Sequence, residues 1–280
     1  MAITTWEQAE ISRANASQLR PVVFVHGLWM LAASWQPWRD LFEQNGYTTI
    51  APGWPDDPSS VADGRAHPAA FAGKSIKQVT DHYDEVIRTL DTSPAIIGHS
   101  FGGLITQQLA GRGLAAVSVA FDSAPFRGVL PLPFSALKSA LPVIGNPRNY
   151  KRTNSLSYDQ FRYSFANALT DSEARTLYAE YPVPGTSVTL FQAATANVNL
   201  RTEATVNTLN PQRGPVLIVT GERDHIAPPA IARASFSKQK RNTTAITEYV
   251  VIPDRGHSLV FDSGWREVAQ IALDFVRRFH

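Results

Sequence analysis

Ala95-Ile96-Ile97-Gly98-His99-Ser100-Phe101-Gly102-Gly103 is the stretch whose reading decides the fold. It opens as an apolar run and closes on a Gly-x-Ser-x-Gly pattern, Gly98 to Gly102. Leu104-Ile105-Thr106-Gln107-Gln108-Leu109-Ala110 then follows with a helical pattern that stops at Gly111. The order is strand, sharp turn, helix. A turn of this kind holds its serine in a strained backbone conformation and lifts the hydroxyl above the sheet edge. The flanking glycines let strand and helix approach without Cβ clashes. The helix N-terminus offers free N–H groups to a developing negative charge. Ser100 therefore reads as a nucleophile. The alternative is a Gly/Ser turn that matches by chance, since the pattern alone is weak.

Outward from this stretch the same alternation repeats. Toward the N-terminus lies Pro21-Val22-Val23-Phe24-Val25, a continuous apolar run that suits a strand buried on both faces. It leads into His26-Gly27-Leu28-Trp29-Met30. Ser34 is placed to cap a helix with Pro37 in its first turn and Trp38, Leu41 and Phe42 on one face, ending at Gly46. Thr48-Thr49-Ile50-Ala51 is the next strand. A polar loop, about 52–74 and including Trp54, follows and reads either as a border of the site entrance or as a floppy surface segment, the second being favoured. Ser75 and Gln78 form a capping-box pattern ahead of a helix whose Ile76, Val79, Tyr83, Val86, Ile87 and Leu90 share a face. Residues 1–20 allow either a short strand or a frayed helix.

Toward the C-terminus Val117-Ser118-Val119-Ala120-Phe121 is another strand. Strand and helix thus alternate, which predicts an α/β fold with a mostly parallel, doubly wound sheet. Residues 126–210 break the alternation. They are rich in proline, aromatics and short helical patterns, with capping-box spacing at Ser157/Gln160 and Thr170/Glu173. They predict a helical cap inserted into a core formed by 1–125 and 211–280. The pattern resumes at Pro215-Val216-Leu217-Ile218-Val219-Thr220 and at Thr247-Glu248-Tyr249-Val250-Val251-Ile252. A last helix spans about 263–279.

A serine hydroxyl needs a base, and the base needs an orienting acid. The strand 216–220 ends in Gly221-Glu222-Arg223-Asp224, and the strand 247–252 runs into Pro253-Asp254-Arg255-Gly256-His257. Both residues leave parallel strands at the sheet edge where Ser100 stands. Ser100, Asp224 and His257 follow in nucleophile–acid–base order. Asp122, at the end of the strand after the serine, is the rival acid, and Asp224 has the competing reading of a helix cap. His225 reads as a satisfied loop histidine, His99 as a residue packed under the serine turn, and His26 as a structural hydrogen-bonder.

With His-Gly after the first strand, the serine turn, Gly-x-x-Asp and Gly-His all in order, the sequence resembles the α/β-hydrolase superfamily in its capped, serine esterase-like branch, from residue 21 nearly to the end. The resemblance implies an oxyanion hole from the backbone N–H groups of Leu28 and Phe101. It implies cleavage of carboxylic esters through an acyl-enzyme, with carbon–carbon bond, lactone or amide hydrolysis and perhydrolysis open on the same triad. A hydrolase-fold receptor with a vestigial triad is the non-enzyme alternative. It also implies that an N-terminal hairpin carried by many relatives is missing or reduced here. Trp29, Leu130, Leu132 and Phe134 are the expected apolar pocket for a small or medium acyl group.

Composition narrows the rest. The chain has 280 residues and a net charge of only +2 with scattered basic residues, which argues against a nucleic-acid partner. The lack of cysteine excludes disulfides, thiolate metal sites and a cysteine nucleophile. No stretch has the roughly 18 apolar residues of a membrane span, and Met1 to Glu7 has neither basic n-region nor apolar run. The expectation is a cytoplasmic monomer or homodimer that takes a small-molecule ester and needs no cofactor or metal.

Overall fold

The computed structural model describes residues 3–280. Six strands form one parallel sheet: β1 (Arg20–Val25), β2 (Tyr47–Ile50), β3 (Ala95–His99), β4 (Val117–Phe121), β7 (Val216–Gly221) and β8 (Thr247–Ile252), in the order β2-β1-β3-β4-β7-β8. Every residue of β2, β3, β4 and β7 is buried. That explains why β3, β4 and β7 read as apolar runs without alternation: helices cover both faces.

α2 (Gln36–Gln44) and α11 (Trp265–Phe279) lie on one face, where Trp38 packs edge-on against Phe121 and tilted against Trp265. α4 (Ile76–Arg88), α5 (Phe101–Gly111) and α10 (Pro229–Gln239) lie on the other, with buried Gln107 of α5 accepting from Ser235 and Gln239 of α10. α11 shows why an amphipathic stripe suffices: Val268, Ala269, Ala272, Leu273, Phe275 and Val276 are its buried residues, and Arg277 and Arg278 end it where the macrodipole favours cations. The register pairs Val25 with Gly98, His99 with Phe121, and Gly221 with Ile252. The carboxyl ends of β1, β3, β4, β7 and β8 therefore share one edge, and the loops that leave them meet there.

Between β4 and β7 the chain forms α6 (Phe134–Ile144), β5 (Thr153–Asn154), α7 (Tyr158–Ser164), α8 (Asp171–Glu180), β6 (Gly185–Thr186) and α9 (Ser187–Ala194), with β5 and β6 paired antiparallel. The Ser157/Gln160 box forms in both directions. At Thr170 only half forms: its hydroxyl accepts from Glu173, while the Glu173 carboxylate instead accepts from the N–H of Ser263, tying α8 to the start of α11.

One open reading is decided and three expectations change. The N-terminal segment, which allowed a short strand or a frayed helix, is a helix, α1 (Thr5–Ser17), started by a Thr4/Glu7 capping box; no antiparallel strand precedes β1 among the described residues, in line with a missing or reduced hairpin. Buried Glu7 bonds His82 of α4 at 2.8 Å, which fixes α1 to the core although its apolar face is small. Ser34 does not cap α2; its hydroxyl donates to Leu31 O inside a 3₁₀ turn, and Trp35 holds the N-cap position. The 52–74 loop is anchored and contains α3 (Val61–Ala66). Trp54 is buried and stacked on His26, and Asp57 is buried against Lys74 at 2.8 Å. Finally, Leu130, Leu132 and Phe134 are 74%, 72% and 78% exposed, so they line no enclosed pocket. The prolines at 131 and 133 keep this entry strand-free and extended, and α6 begins only at Phe134.

Candidate active site

Ser100 occupies the bend between β3 and α5 with φ 58° and ψ −122°, a left-handed conformation unfavourable for a residue with a Cβ. Its neighbours hold it there. The Ser100 N–H donates to Phe121 O, and Ser100 O accepts from Gly103, Leu104 and Ala124. The glycines are demanded by distance. A Cβ on Gly98 would stand 2.2 Å from Gly102 O, and one on Gly102 would stand 2.1 Å from Val25 O. Strand, bend and helix pack at backbone contact.

His257 leaves β8 on the same edge and is fully buried. Its Nδ1 lies 2.7 Å from Asp224 Oδ2. Asp224 Oδ1 accepts from the N–H groups of Ile226 and Ala227, at 2.6 and 3.1 Å. One carboxylate thus holds both the loop and the imidazole; it does not cap α10, whose N-cap position is Pro228. Nδ1 being occupied, Nε2 is the free ring nitrogen; it is buried and has no hydrogen-bond partner.

Asp122 is equally buried. Its Oδ1 accepts from Gly221 N–H at 2.8 Å, and its Oδ2 stands 4.0 Å from His257 Nδ1. Both acids weighed from sequence therefore face one imidazole, with Asp224 in bonding range. Burial drives their protonation. It pushes His257 down, pushes Asp224 up, and pushes Asp122 well above the usual carboxylate range, with the charge of Asp224 adding to the last shift. His99 is buried against the His257 ring, centroids 4.6 Å apart, and its Nε2 donates to His257 O; burial pushes it well below the ordinary histidine value.

The 26–30 loop closes the other side. A Cβ on Gly27 would lie 2.9 Å from Ser100 Cβ, so the backbone that carries Leu28 runs beside the serine. Phe101 is the first residue of α5, where an N–H has no intrahelical acceptor. His26 receives the Trp54 N–H at 3.2 Å, and Trp54 Nε1 donates back to His26 O. Trp29 is buried, donates to Asn154 Oδ1 and packs edge-on against Phe165, which packs edge-on against His257. Phe165 was visible in the sequence only as an apolar helix position. Its contact with His257 depends on how the 126–210 excursion folds back, and no local pattern encodes that.

Ser100 and His257 are buried, and the cavity of about 10 Å³ beside Leu28, Trp29, Gly185 and Thr186 is lined by neither of them. A cavity of about 780 Å³ lies at the opposite end of the sheet, beside Arg20 and His280.

His99, Asp122 and His257 bring donor atoms within 4.8 Å of one another, the spacing of a metal cluster. One atom of each is engaged, His99 Nε2 with His257 O, His257 Nδ1 with Asp224, and Asp122 Oδ1 with Gly221, while His257 Nε2 and Asp122 Oδ2 have no hydrogen-bond partner. Among the described residues no helix is long and apolar enough to cross a membrane.

A family model described as "Alpha/beta hydrolase family" matches residues 22–271. A search of curated protein sequences found no match. Among solved structures, the chain is similar to a monoacylglycerol lipase of Paleococcus ferrophilus at 20% identity and a TM-score of 0.63, over 93% of this chain and 95% of that one. It is similar to a pyrethroid hydrolase from Sphingobium faniae at 18% identity and a TM-score of 0.63, over 92% and 97%. A putative non-heme bromoperoxidase from Mycobacterium tuberculosis matches at 20% identity and a TM-score of 0.64, over 93% of each chain. At these identities the likeness is one of fold.

Proposed function

The chain belongs to the alpha/beta hydrolase family, and we propose that it is a serine hydrolase cleaving carboxylic esters of small to medium acyl groups. Ser100 Oγ attacks the acyl carbon while His257 Nε2 takes its proton. Asp224 holds the Nδ1–H tautomer and stabilises the imidazolium. The N–H groups of Leu28 and Phe101 receive the oxyanion, a contribution of about 10²–10³ in turnover for each donor. The alcohol leaves with the proton from Nε2, and water enters by the reverse sequence to release the acid.

One observation carries this reading: a serine forced to φ 58° at a helix N-terminus shares a sheet edge with a buried histidine whose Nδ1 is held 2.7 Å from a carboxylate. The lipase and pyrethroid hydrolase among the structural neighbours agree with ester chemistry. In the same reading, residues 126–210 act as a cap on a core made of 1–125 and 211–280. Phe165 from this segment covers His257, and the burial of Ser100 and His257 implies that the cap yields to admit substrate. Trp29 lines the acyl side.

A fluorophosphonate probe should label Ser100 and abolish hydrolysis of p-nitrophenyl butyrate, and Ser100→Ala should lose on the order of 10³-fold or more in turnover. Label on another residue, or full activity in the alanine variant, sinks the proposal.

A further inference from the structure

The cap presents a second surface that the hydrolytic reading does not use. α6 is apolar at Phe134, Ala136, Leu137, Ala140, Leu141, Val143 and Ile144, yet Val143 is its only buried residue. Helices of globular cores bury such a stripe. Leu130, Leu132, Phe134 and Leu141 stand exposed here, and two more large side chains join them from a separate segment: Val198 at 81% and Leu200 at 77% exposure. The two segments are stitched together. Asn197 accepts from Gly128 N–H and donates to Val129 O, and the Arg127 guanidinium donates to Leu200 O. The exposed residues therefore belong to one built face, and contiguous apolar surface of this kind marks an interaction site.

Charge says what covers it. Between Asp122 and Asp159 the chain has no carboxylate side chain and five cations: Arg127, Lys138, Arg148, Lys151 and Arg152. All five are exposed, and Arg201 adds another beside Leu200. With these six cations set aside, the chain carries four more acids than bases, so the positive charge is concentrated in the segments that carry the exposed apolar side chains. Exposed bulky apolar side chains rimmed by cations, on a helix lying along the surface, are the chemistry of an anionic lipid interface. α6 also leans on the loop that carries Asp224: Ser139 Oγ donates to His225 O, and Lys138 stands 4.1 Å over the Tyr163 ring that packs on His225.

We propose that this face of the cap, α6 with the 127–134 and 197–201 segments, docks the protein on an anionic lipid surface. The proposal concerns binding and stands whether or not the ester reading holds.

Co-sedimentation of the full chain with vesicles tests it, using phosphatidylcholine alone and phosphatidylcholine mixed with phosphatidylglycerol. The chain should sediment with the mixed vesicles, and added salt should weaken the binding. Arg148→Glu/Lys151→Glu/Arg201→Glu and Leu141→Ser/Val198→Ser/Leu200→Ser should each lower partitioning by on the order of tenfold or more. Circular dichroism and melting confirm that each variant folds. If a variant does not fold, the composition and salt dependence of the unaltered chain decide the matter. Equal partitioning onto both vesicles, or none onto either, overturns the proposal. So does light scattering that shows a dimer abolished by the serine variant without vesicle binding, which would assign the face to a second copy of this chain.

Discussion

Asp122 Oδ2 stands 4.0 Å from His257 Nδ1, just beyond Asp224 Oδ2 at 2.7 Å from the same atom. Two buried carboxyl groups this close cannot both ionise at low cost. Burial and the charge of Asp224 push the Asp122 carboxyl well above the usual carboxylate range, while its Oδ1 accepts from Gly221 N–H and its buried Oδ2 has no hydrogen-bond partner. Asn at 122 keeps a carbonyl oxygen for the Gly221 N–H and removes a second buried carboxyl group from beside Asp224. Asp122→Asn should therefore keep turnover within about tenfold of the unaltered chain. Asp224→Asn presents an NH₂ to His257 Nδ1, selects the wrong tautomer, and should cost on the order of 10⁴-fold in kcat. Steady-state kinetics on the two variants decide, and the reverse ranking would move the acid to Asp122.

The pH profile follows from the burial of His257. In the proposed mechanism the base is the neutral imidazole, which is lost as pH falls through the folded-state value. Burial lowers that value from 6.5 to about 4. The sign is thus a gain in the neutral form at mildly acid pH, and the acid limb of kcat/KM should lie clearly below 6.5. A limb at or above 6.5 would assign the controlling ionisation to Asp224, whose carboxyl burial raises to about 7. Measuring kcat/KM from pH 4 to 9 separates the two.

Gly102 is a sharp test of the serine bend. A methyl group there would meet Val25 O at 2.1 Å, a backbone atom of the adjoining strand that cannot rotate away. Gly102→Ala should cost at least the upper part of the roughly 1–3 kcal/mol typical of overpacking. Because the shift acts on β1 and α5 together, activity should fall further than stability. A denaturant melt and kcat measured side by side check this; full activity would show that the bend tolerates being opened.

What the sequence disclosed follows from how locally each signal is encoded. The strands β1, β3, β4 and β7 are buried on both faces, so their apolar runs stand out without knowledge of partners. That Ser100, Asp224 and His257 come to one sheet edge was legible because each follows a strand whose end the pattern fixes, the serine directly and the other two through short loops. α1 was ambiguous because what holds it is the buried Glu7–His82 bond, a contact 75 residues apart in the chain. The 52–74 loop looked mobile for the same reason: polar composition conceals that Asp57 pairs with Lys74 and that Trp54 bonds His26. The exposure of Leu130, Leu132 and Phe134 escaped because apolar identity predicts burial only on average.

That anchored loop gives the last prediction. Asp57 Oδ1 takes the Lys74 ammonium at 2.8 Å, and its Oδ2 shares the Trp54 N–H, at 3.0 Å, with His26 Nε2. Lys74 and Asp57 are both buried. Lys74→Met removes the cation and leaves the carboxylate buried and uncompensated, a change that costs about 3–5 kcal/mol for a buried pair. For a domain of this size that lowers Tm by about 5–9 °C. Restoring charge balance with Lys74→Met/Asp57→Asn should recover part of the loss, since the amide can still accept from Trp54. The functional consequence runs through His26, whose Nδ1 bonds Gly27 O at 3.0 Å and so sets the backbone that offers the Leu28 N–H. Displacing Asp57 should lower kcat more than it raises KM, because an oxyanion donor acts on the transition state. Thermal melting and kinetics on the single and double variants read both effects. A single variant with unchanged Tm would mean that the pair is solvated in solution, and one with lowered Tm but unchanged kcat would separate the loop from the oxyanion hole.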